Sequence, residues 1–176
     1  MSSLLRPDYY LKSYELVHPE ALQRLGIRVL IVDIDNTLVP ARSPMADEPA
    51  KRFIHDLKEA GVQPVVVSNN MPGRIRALSS QLGVHCFTFS LKPSSRGYKK
   101  ALQMYGASAK EAAILGDQLL TDILGGSRMG MTTILVDPIS RKENFFSRFS
   151  RMAETRLWKR LAEQNIMRKG HYYGSL

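Results

Sequence analysis

The sequence predicts a single α/β domain in which a mainly parallel sheet lies between two layers of helices. Three observations carry that expectation. Short β-branched runs alternate with helical periodicities, glycines close the helical stretches, and polar residues of catalytic type stand at the ends of separate strands.

The first run, Ile27-Arg28-Val29-Leu30-Ile31-Val32, reads as a buried strand leading into Asp33-Ile34-Asp35. After the proline-bounded loop Pro40-Ala41-Arg42-Ser43-Pro44, Asp47-Glu48-Pro49 has the acidic first turn of a helix. Phe53, Ile54, Leu57 and Ala60 give that helix an apolar face as far as Gly61. Val62 to Ser68 is a second strand with the polar tip Ser68-Asn69-Asn70. Pro72 to Leu82 is a helix closed by Gly83, Cys86 to Phe89 a short third strand, and Ser94 to Tyr105 a helix closed by Gly106. Ala112 to Gly116 forms a fourth strand ending at Asp117. Thr121 to Ser127 continues as a helix with its exit at Gly125-Gly126, and Met131 to Val136 is a fifth strand. Parallel sheets gather ligands beyond the carboxyl ends of their strands, where Asp33, Ser68 and Asp117 all fall.

At 176 residues and 44% hydrophobic content the chain has material for one core. The expected divisions are an N-terminal extension over 1–26 packed on the core, the core itself over 27–139, and a basic amphipathic helix and tail over 140–176. No apolar run approaches the roughly 20 residues of a membrane span. The N-terminus lacks the apolar stretch and small-residue cleavage site of a secretory signal. A single cysteine, Cys86, lies in an apolar run and fits a reducing compartment, so the expected address is cytoplasmic. His18, His55, His85 and His171 show no metal-ligand spacing. The formal net charge is +9, and between Arg141 and Lys169 nine basic residues face three acidic ones. Such a balance attracts nucleic acid, anionic lipid or acidic protein and says nothing about fold.

Asp33 and Asp35 are the most informative pair. On an extended chain they share a face, so their charges crowd unless a cation, most simply a divalent one, sits between them. Where the chain leaves the strand, they can instead divide labour as nucleophile and proton shuttle. Duller readings exist for the other candidates. Ser68 and Asn69 would serve equally as helix caps, Lys92 before Pro93 as a solvated loop residue, and Asp122 as a helix-surface carboxylate.

Taken in order, Asp33-Ile34-Asp35-Asn36-Thr37-Leu38, then Ser68, then Lys92, then Gly116-Asp117-Gln118-Leu119-Leu120-Thr121-Asp122 resemble the motifs of the haloacid dehalogenase (HAD) phosphatases. The surrounding residues, with the tail Phe146-Ser147-Arg148-Phe149-Ser150-Arg151, look further like the YqeG-type branch of subfamily IIIA, which is related to mitochondrial phosphatidylglycerophosphate phosphatases. The resemblance implies an HAD-like Rossmannoid α/β/α fold and a phosphomonoester hydrolase working through an aspartyl-phosphate. It implies Asp33 as nucleophile and Asp35 as acid and base. Mg²⁺ would be held by Asp33, the Asp35 carbonyl and Asp117, with Asp122 binding it through water or orienting that shell. Ser68 and the Asn69 N–H would bind phosphate oxygens beside Lys92.

Leu38 to Glu48 is too short for a folded insert and Asn70 to Lys92 is filled by one helix and one strand, so no cap domain is expected. An open site suits phosphate displayed on something large. If Glu143 to Met167 is helical, Phe146, Phe149, Ala153, Leu157 and Leu161 line one face and Arg148, Arg151 and Lys159 the other. Such a helix packs on the core, and its basic residues beside Phe145 and Trp158 also fit docking at the inner face of an anionic membrane. The expected substrate is an anionic phospholipid monoester such as phosphatidylglycerophosphate. The alternatives are phosphate on protein, nucleic-acid ends or a soluble metabolite, or a non-catalytic RNA- or ribosome-binding role on a phosphatase scaffold.

Overall fold

Alternation with a period of two along the central strands decides which side chain enters which layer. In the computed structural model, the described residues are 2–140 and 145–176, with side chains described over 4–140 and 153–176. The elements run β1 (Tyr9–Leu11), α1 (Pro19–Arg24), β2 (Val29–Val32), α2 (Glu48–Glu59), β3 (Gln63–Val67), α3 (Pro72–Leu82), β4 (His85–Phe87), α4 (Ser95–Met104), β5 (Ala112–Gly116), α5 (Leu124–Met129), β6 (Thr132–Val136) and α6 (Phe145–Glu163). The strands form one sheet in the order β1-β6-β5-β2-β3-β4. Every pairing in it is parallel.

Leu30, Val32, Val66, Ala113 and Leu115 point into one layer, where Leu22 of α1, Phe53, Ile54 and Leu57 of α2, and Ile75 and Leu78 of α3 cover them. Val29, Ile31, Val65, Val67 and Ile114 point the opposite way, onto Tyr98, Ala101 and Leu102 of α4. A sheet buried on both faces this way has the near-continuous apolar strands seen in the sequence. The helix limits follow their caps. Asp47 Oδ1 accepts from the Ala50 N–H at 3.0 Å to start α2, and Gly83, at φ +63°, ends α3. Only α3 and β4 lie between Asn70 and Lys92, and the loop from β2 to α2 carries no folded insert, so the sheet end is uncapped. Among the described residues, no helix is long and apolar enough to cross a membrane.

Three features depart from the sequence expectation. The sheet has six strands, because Tyr9–Leu11 adds β1 beside β6. Asp8 fixes that register by accepting from the Thr133 N–H and hydroxyl at 2.8 and 2.9 Å. The far end of the chain then pairs with β1 through reciprocal Tyr10 and Tyr173 backbone bonds of 3.0 and 2.9 Å. Second, Gly125-Gly126 is no helix exit. Both glycines lie inside α5, which ends at Gly130, and a Cβ on either would collide with Tyr98 or with Ile114 and Thr133. Gly126 is small because the helix lies tight on the sheet, and Gly125 because Tyr98 of α4 lies against it.

Third, α6 presents a different face. Ala153 is exposed, whereas Glu154 is buried and accepts from the Leu120 N–H at 3.2 Å. Leu157, Trp158 and Leu161 pack with Leu5, Tyr10, Ile123 and Leu135, closing the β1 end of the sheet. Trp158 lies 5.7 Å from the Tyr10 ring and serves the interior. The side chains of Phe145, Phe146, Arg148, Phe149 and Arg151 lie outside the described residues.

Gly126→Ala should destabilise the fold by about 1–3 kcal/mol through overpacking. Urea unfolding checks it, and a midpoint equal to that of the parent would mean that α5 does not lie as close to β5 and β6 as described.

Candidate active site

Parallel sheets gather ligands beyond the carboxyl ends of their strands, and β2, β3 and β5 are each followed there by a polar residue, Asp33, Ser68 and Asp117. β2 continues one step beyond Val32, since the Asp33 N–H still donates to Leu115 O at 2.9 Å. The chain then coils. The N–H groups of Leu38 and Val39 both return to Ile34 O at 3.1 Å, and Asn36 takes φ +62°. Asparagine tolerates that left-handed conformation because its amide can bond locally. Here Asn36 Oδ1 accepts from the Ala41 N–H at 3.1 Å.

The turn gives the two aspartates separate partners. Asp33 Oδ1 accepts from Lys92 Nζ at 2.5 Å. Asp35 pairs instead with the Arg74 guanidinium and the Asn70 amide. Arg74 also donates to Ser43 O at 2.9 Å, tying the loop after β2 to the start of α3. The sequence carried no signal for Arg74, which reads as a solvated residue on an amphipathic helix. Asn70 stood beside the Ser68 motif, yet only the fold turns its side chain onto Asp35.

Lys92 is the hub. Its side chain is 3% exposed and donates also to Asp122 Oδ1 at 2.7 Å. The neighbouring backbone is clamped by Asn69, whose Oδ1 accepts from the Lys92 N–H at 2.6 Å while its amide donates to Lys92 O at 3.1 Å. The sequence pointed to the Asn69 backbone N–H; its side chain has this second use. Ser68, buried at the end of β3, accepts on Oγ from the Asn70 N–H at 3.1 Å. Asp117 caps the end of β5 and accepts from Thr37 Oγ1 at 3.4 Å. Asp122 sits on a π-helical turn, Leu119–Ile123, the kind of widened turn that recurs at functional sites. That turn brings its carboxylate against Gly116, where any Cβ would collide with it. With one oxygen on Lys92 and the other near the Gln118 N–H at 3.3 Å, Asp122 holds the lysine in place.

Charge inside the cluster is unevenly matched. Burial pushes the Asp33 carboxyl up to about 7; Lys92 opposes the rise, while Asp122 and Asp35 add to it. Burial alone would lower the Lys92 ammonium, but Asp122 and Asp33 more than offset it and hold the group above its ordinary range. The lysine is therefore charged, and Asp33 is held above the usual carboxylate range chiefly by its burial.

The donor set fits a hard divalent cation. Asp33 and Asp117 end the paired strands β2 and β5, the Asp35 carbonyl lies between them in sequence, and all three offer oxygen. Among the described residues, no group of three or more His, Cys, Asp or Glu side chains is gathered as a cage. Magnesium needs none, since it keeps several waters and takes one or two carboxylates.

A carboxyl raised to about 7 on folding, from about 3.9 in an unfolded chain, contributes stability that is complete below its unfolded pKa and lost as pH climbs through 7. In EDTA, the melting temperature of the parent protein should therefore fall between about pH 5 and about pH 8, and that of Asp33→Asn should fall less. Parallel declines in differential scanning fluorimetry would remove Asp33 as the titrating group.

Known proteins align with these features. The HAD-hydrolase-like family pattern matches residues 91–138. The probable phosphatase YqeG of Bacillus subtilis (strain 168) is 34% identical over 165 residues, which cover 94% of this chain and 93% of that protein. The chloroplastic/mitochondrial phosphatidylglycerophosphate phosphatase 1 of Arabidopsis thaliana is 26% identical over 94% of this chain, and the aligned part is 50% of its length. Among solved structures, an uncharacterized protein from Listeria monocytogenes serotype 4b has a TM-score of 0.53 at 19% identity, covering 66% of this chain and 85% of that one, a likeness of fold alone. The Bacillus relationship spans both chains almost end to end, and on that ground the protein belongs to the YqeG family of HAD-type phosphatases, which are phosphoric monoester hydrolases.

Proposed function

We propose that the protein is a Mg²⁺-dependent phosphatase that works through an aspartyl-phosphate on Asp33 and acts on an anionic phospholipid monoester, with phosphatidylglycerophosphate as the best fit. The observation that carries the mechanism is Lys92, a buried ammonium in direct contact with Asp33 at an uncapped sheet end. Asp33 Oδ attacks phosphorus, the bond to the leaving oxygen breaks, and Asp35 gives that oxygen its proton. Asp35, now a carboxylate, takes a proton from water, which attacks the same phosphorus and returns Asp33 as a carboxylate with inorganic phosphate. Splitting one displacement into two lowers each barrier.

Phosphoryl transfer leaves the protein mainly positioning and electrostatics. The Ser68 hydroxyl and the Asn69 N–H would donate to phosphate oxygens, and Lys92 would balance charge carried by Asp33 and the phosphoryl group. Asp33, Asp117 and the Asp35 carbonyl would hold Mg²⁺, which would supply Lewis-acid charge to the reaction. Asp35 needs a different setting from Asp33, and Arg74 with Asn70 provides it.

Two features support the lipid as substrate. The mouth has no cap to enclose a small metabolite, and the Arabidopsis relative is named for phosphatidylglycerophosphate. With that substrate the protein works at the cytoplasmic face of a membrane, bound peripherally.

The test is a phosphate-release assay with phosphatidylglycerophosphate in mixed micelles beside a panel of soluble monoesters. We expect kcat/KM for the lipid to exceed the best soluble ester by at least about tenfold, a difference of ~1.4 kcal/mol in transition-state binding. EDTA and Asp33→Asn should each reduce turnover to background. Equal use of lipid and soluble esters would refute the lipid assignment, and turnover by Asp33→Asn would refute the nucleophile.

A further inference from the structure

Among the described residues, the large apolar side chains most open to solvent are Met71 at 74%, Leu91 at 66%, Met45 at 64% and Phe89 at 57%. All four stand on the loops that follow β3, β4 and β2, the sheet edge that holds Asp33, Asp35 and Ser68. Single apolar residues on a surface are ordinary. Their grouping at one edge is not, and three further observations give it direction.

The loops are tied into one surface. Arg74 binds Ser43 O at 2.9 Å, joining the loop after β2 to the one after β3, and Asn69 clamps both backbone polar groups of Lys92, joining the latter to the loop after β4. Met71 and Leu91 are each next in sequence to a residue of the site, Asn70 or Lys92.

The loop after β4 also takes an uncommon conformation. Phe89 and Leu91 have φ of +48° and +52°, a region disfavoured for bulky side chains. Between and beyond them, Ser90 and Lys92 turn inward, with Ser90 Oγ donating to Phe87 O at 2.9 Å. Glycine or asparagine would occupy the outward positions at less cost. Large apolar groups held outward in a disfavoured conformation beside a reactive centre motivate a functional reading.

The charges at this edge complete the picture. Arg42 and Arg96 are exposed there, while Arg74 is spent on Asp35. Of the nearby acids, Asp47 caps α2 and Glu48 pairs with Lys51. On α6, by contrast, Trp158 and Leu161 are already used against the core.

We propose that this edge is a bilayer-docking surface, in which Met71, Phe89 and Leu91 enter the interfacial region of an anionic membrane and set the mouth at Asp33 against phosphate at headgroup level. Apolar insertion with cations at the rim is the pattern of peripheral membrane contact. The inference rests on the lipid substrate of the previous subsection.

Sedimentation with vesicles of phosphatidylglycerol and phosphatidylcholine tests it, using the full chain. The parent should bind, and Met71→Ser and the double variant Phe89→Ser/Leu91→Ser should each bind at least about tenfold more weakly. Their hydrolysis of p-nitrophenyl phosphate should stay within about twofold of the parent, which reports that the fold is intact. In Phe89→Trp, emission should move to the blue on vesicles and be quenched by brominated acyl chains, whereas Trp158 of the parent should not respond. Absence of vesicle binding by the parent, or undiminished binding by the variants, overturns the proposal. A blue shift of Phe89→Trp that tracks self-association without vesicles also overturns it, by assigning the surface to a second copy of the chain. These vesicles hold no phosphate monoester, so docking is scored apart from turnover. Docking without cleavage of phosphatidylglycerophosphate would refute the substrate, and cleavage in micelles without docking would refute the surface.

Discussion

The arrangement of this sheet end follows from one buried ammonium. Taking a lysine out of water costs several kcal/mol unless carboxylates accompany it, and Lys92 has two, Asp33 and Asp122. Meeting that requirement fixes much of the surrounding chain. Gly116 lacks a Cβ so that Asp122 can approach, the widened turn at Leu119–Ile123 brings Asp122 back, and the Asn69 side chain secures the backbone on either side of the lysine. Tyr98 steadies the same turn from α4, donating its hydroxyl to Thr121 O at 3.0 Å. Burial raises the Asp33 carboxyl even so, with Lys92 opposing the rise and Asp122 and Asp35 adding to it. A buried carboxylate so placed is favoured by any positive charge added beside it.

The same logic separates the two aspartates. Residues two apart on a strand would share an environment, in which two carboxylates could not do different work. The coil at Ile34 to Val39, with Asn36 in the left-handed region, breaks the strand geometry between them and sends Asp33 to Lys92 and Asp35 to Arg74. Arg74 binds the loop after β2 as well, so the setting of Asp35 depends on how that loop lies against α3.

Much of this was legible before any coordinates, and the parts that were not share a cause. Strand-end placement pointed to Asp33, Ser68 and Asp117 because local periodicity stops there, a signal carried by the chain itself; Asp35 was marked by its spacing from Asp33, and Lys92 by the resemblance to the HAD motifs. Helix limits at Asp47 and Gly83 were legible for the same reason. Arg74, the Asn69 amide and the tight seats of Gly125 and Gly126 acquire meaning only from what another segment places beside them. β1 is too short to show alternation, and its evidence lies in Asp8 and Thr133, 125 positions apart. On α6, helical periodicity marked Leu157 and Leu161 for burial, but it could not foresee that Glu154 would be drawn inward by the unpaired N–H of Leu120.

The joining of β1 to β6 and of Tyr173 to Tyr10 makes this edge of the sheet depend on segments far apart in sequence. Asp137, just past β6, draws on the same closure, accepting from the Tyr10 and Tyr172 hydroxyls at 2.6 and 2.7 Å. During synthesis, the four strands β2 to β5 can assemble while β6 and everything after it are still inside the ribosome. Once β6 has emerged, β1 can shield its open flank, but β1 itself keeps a bare row of amides and carbonyls until the residues around Tyr173 arrive. A growing polypeptide halted in that interval offers neighbouring nascent chains an unpaired strand, the feature through which sheets associate edge to edge.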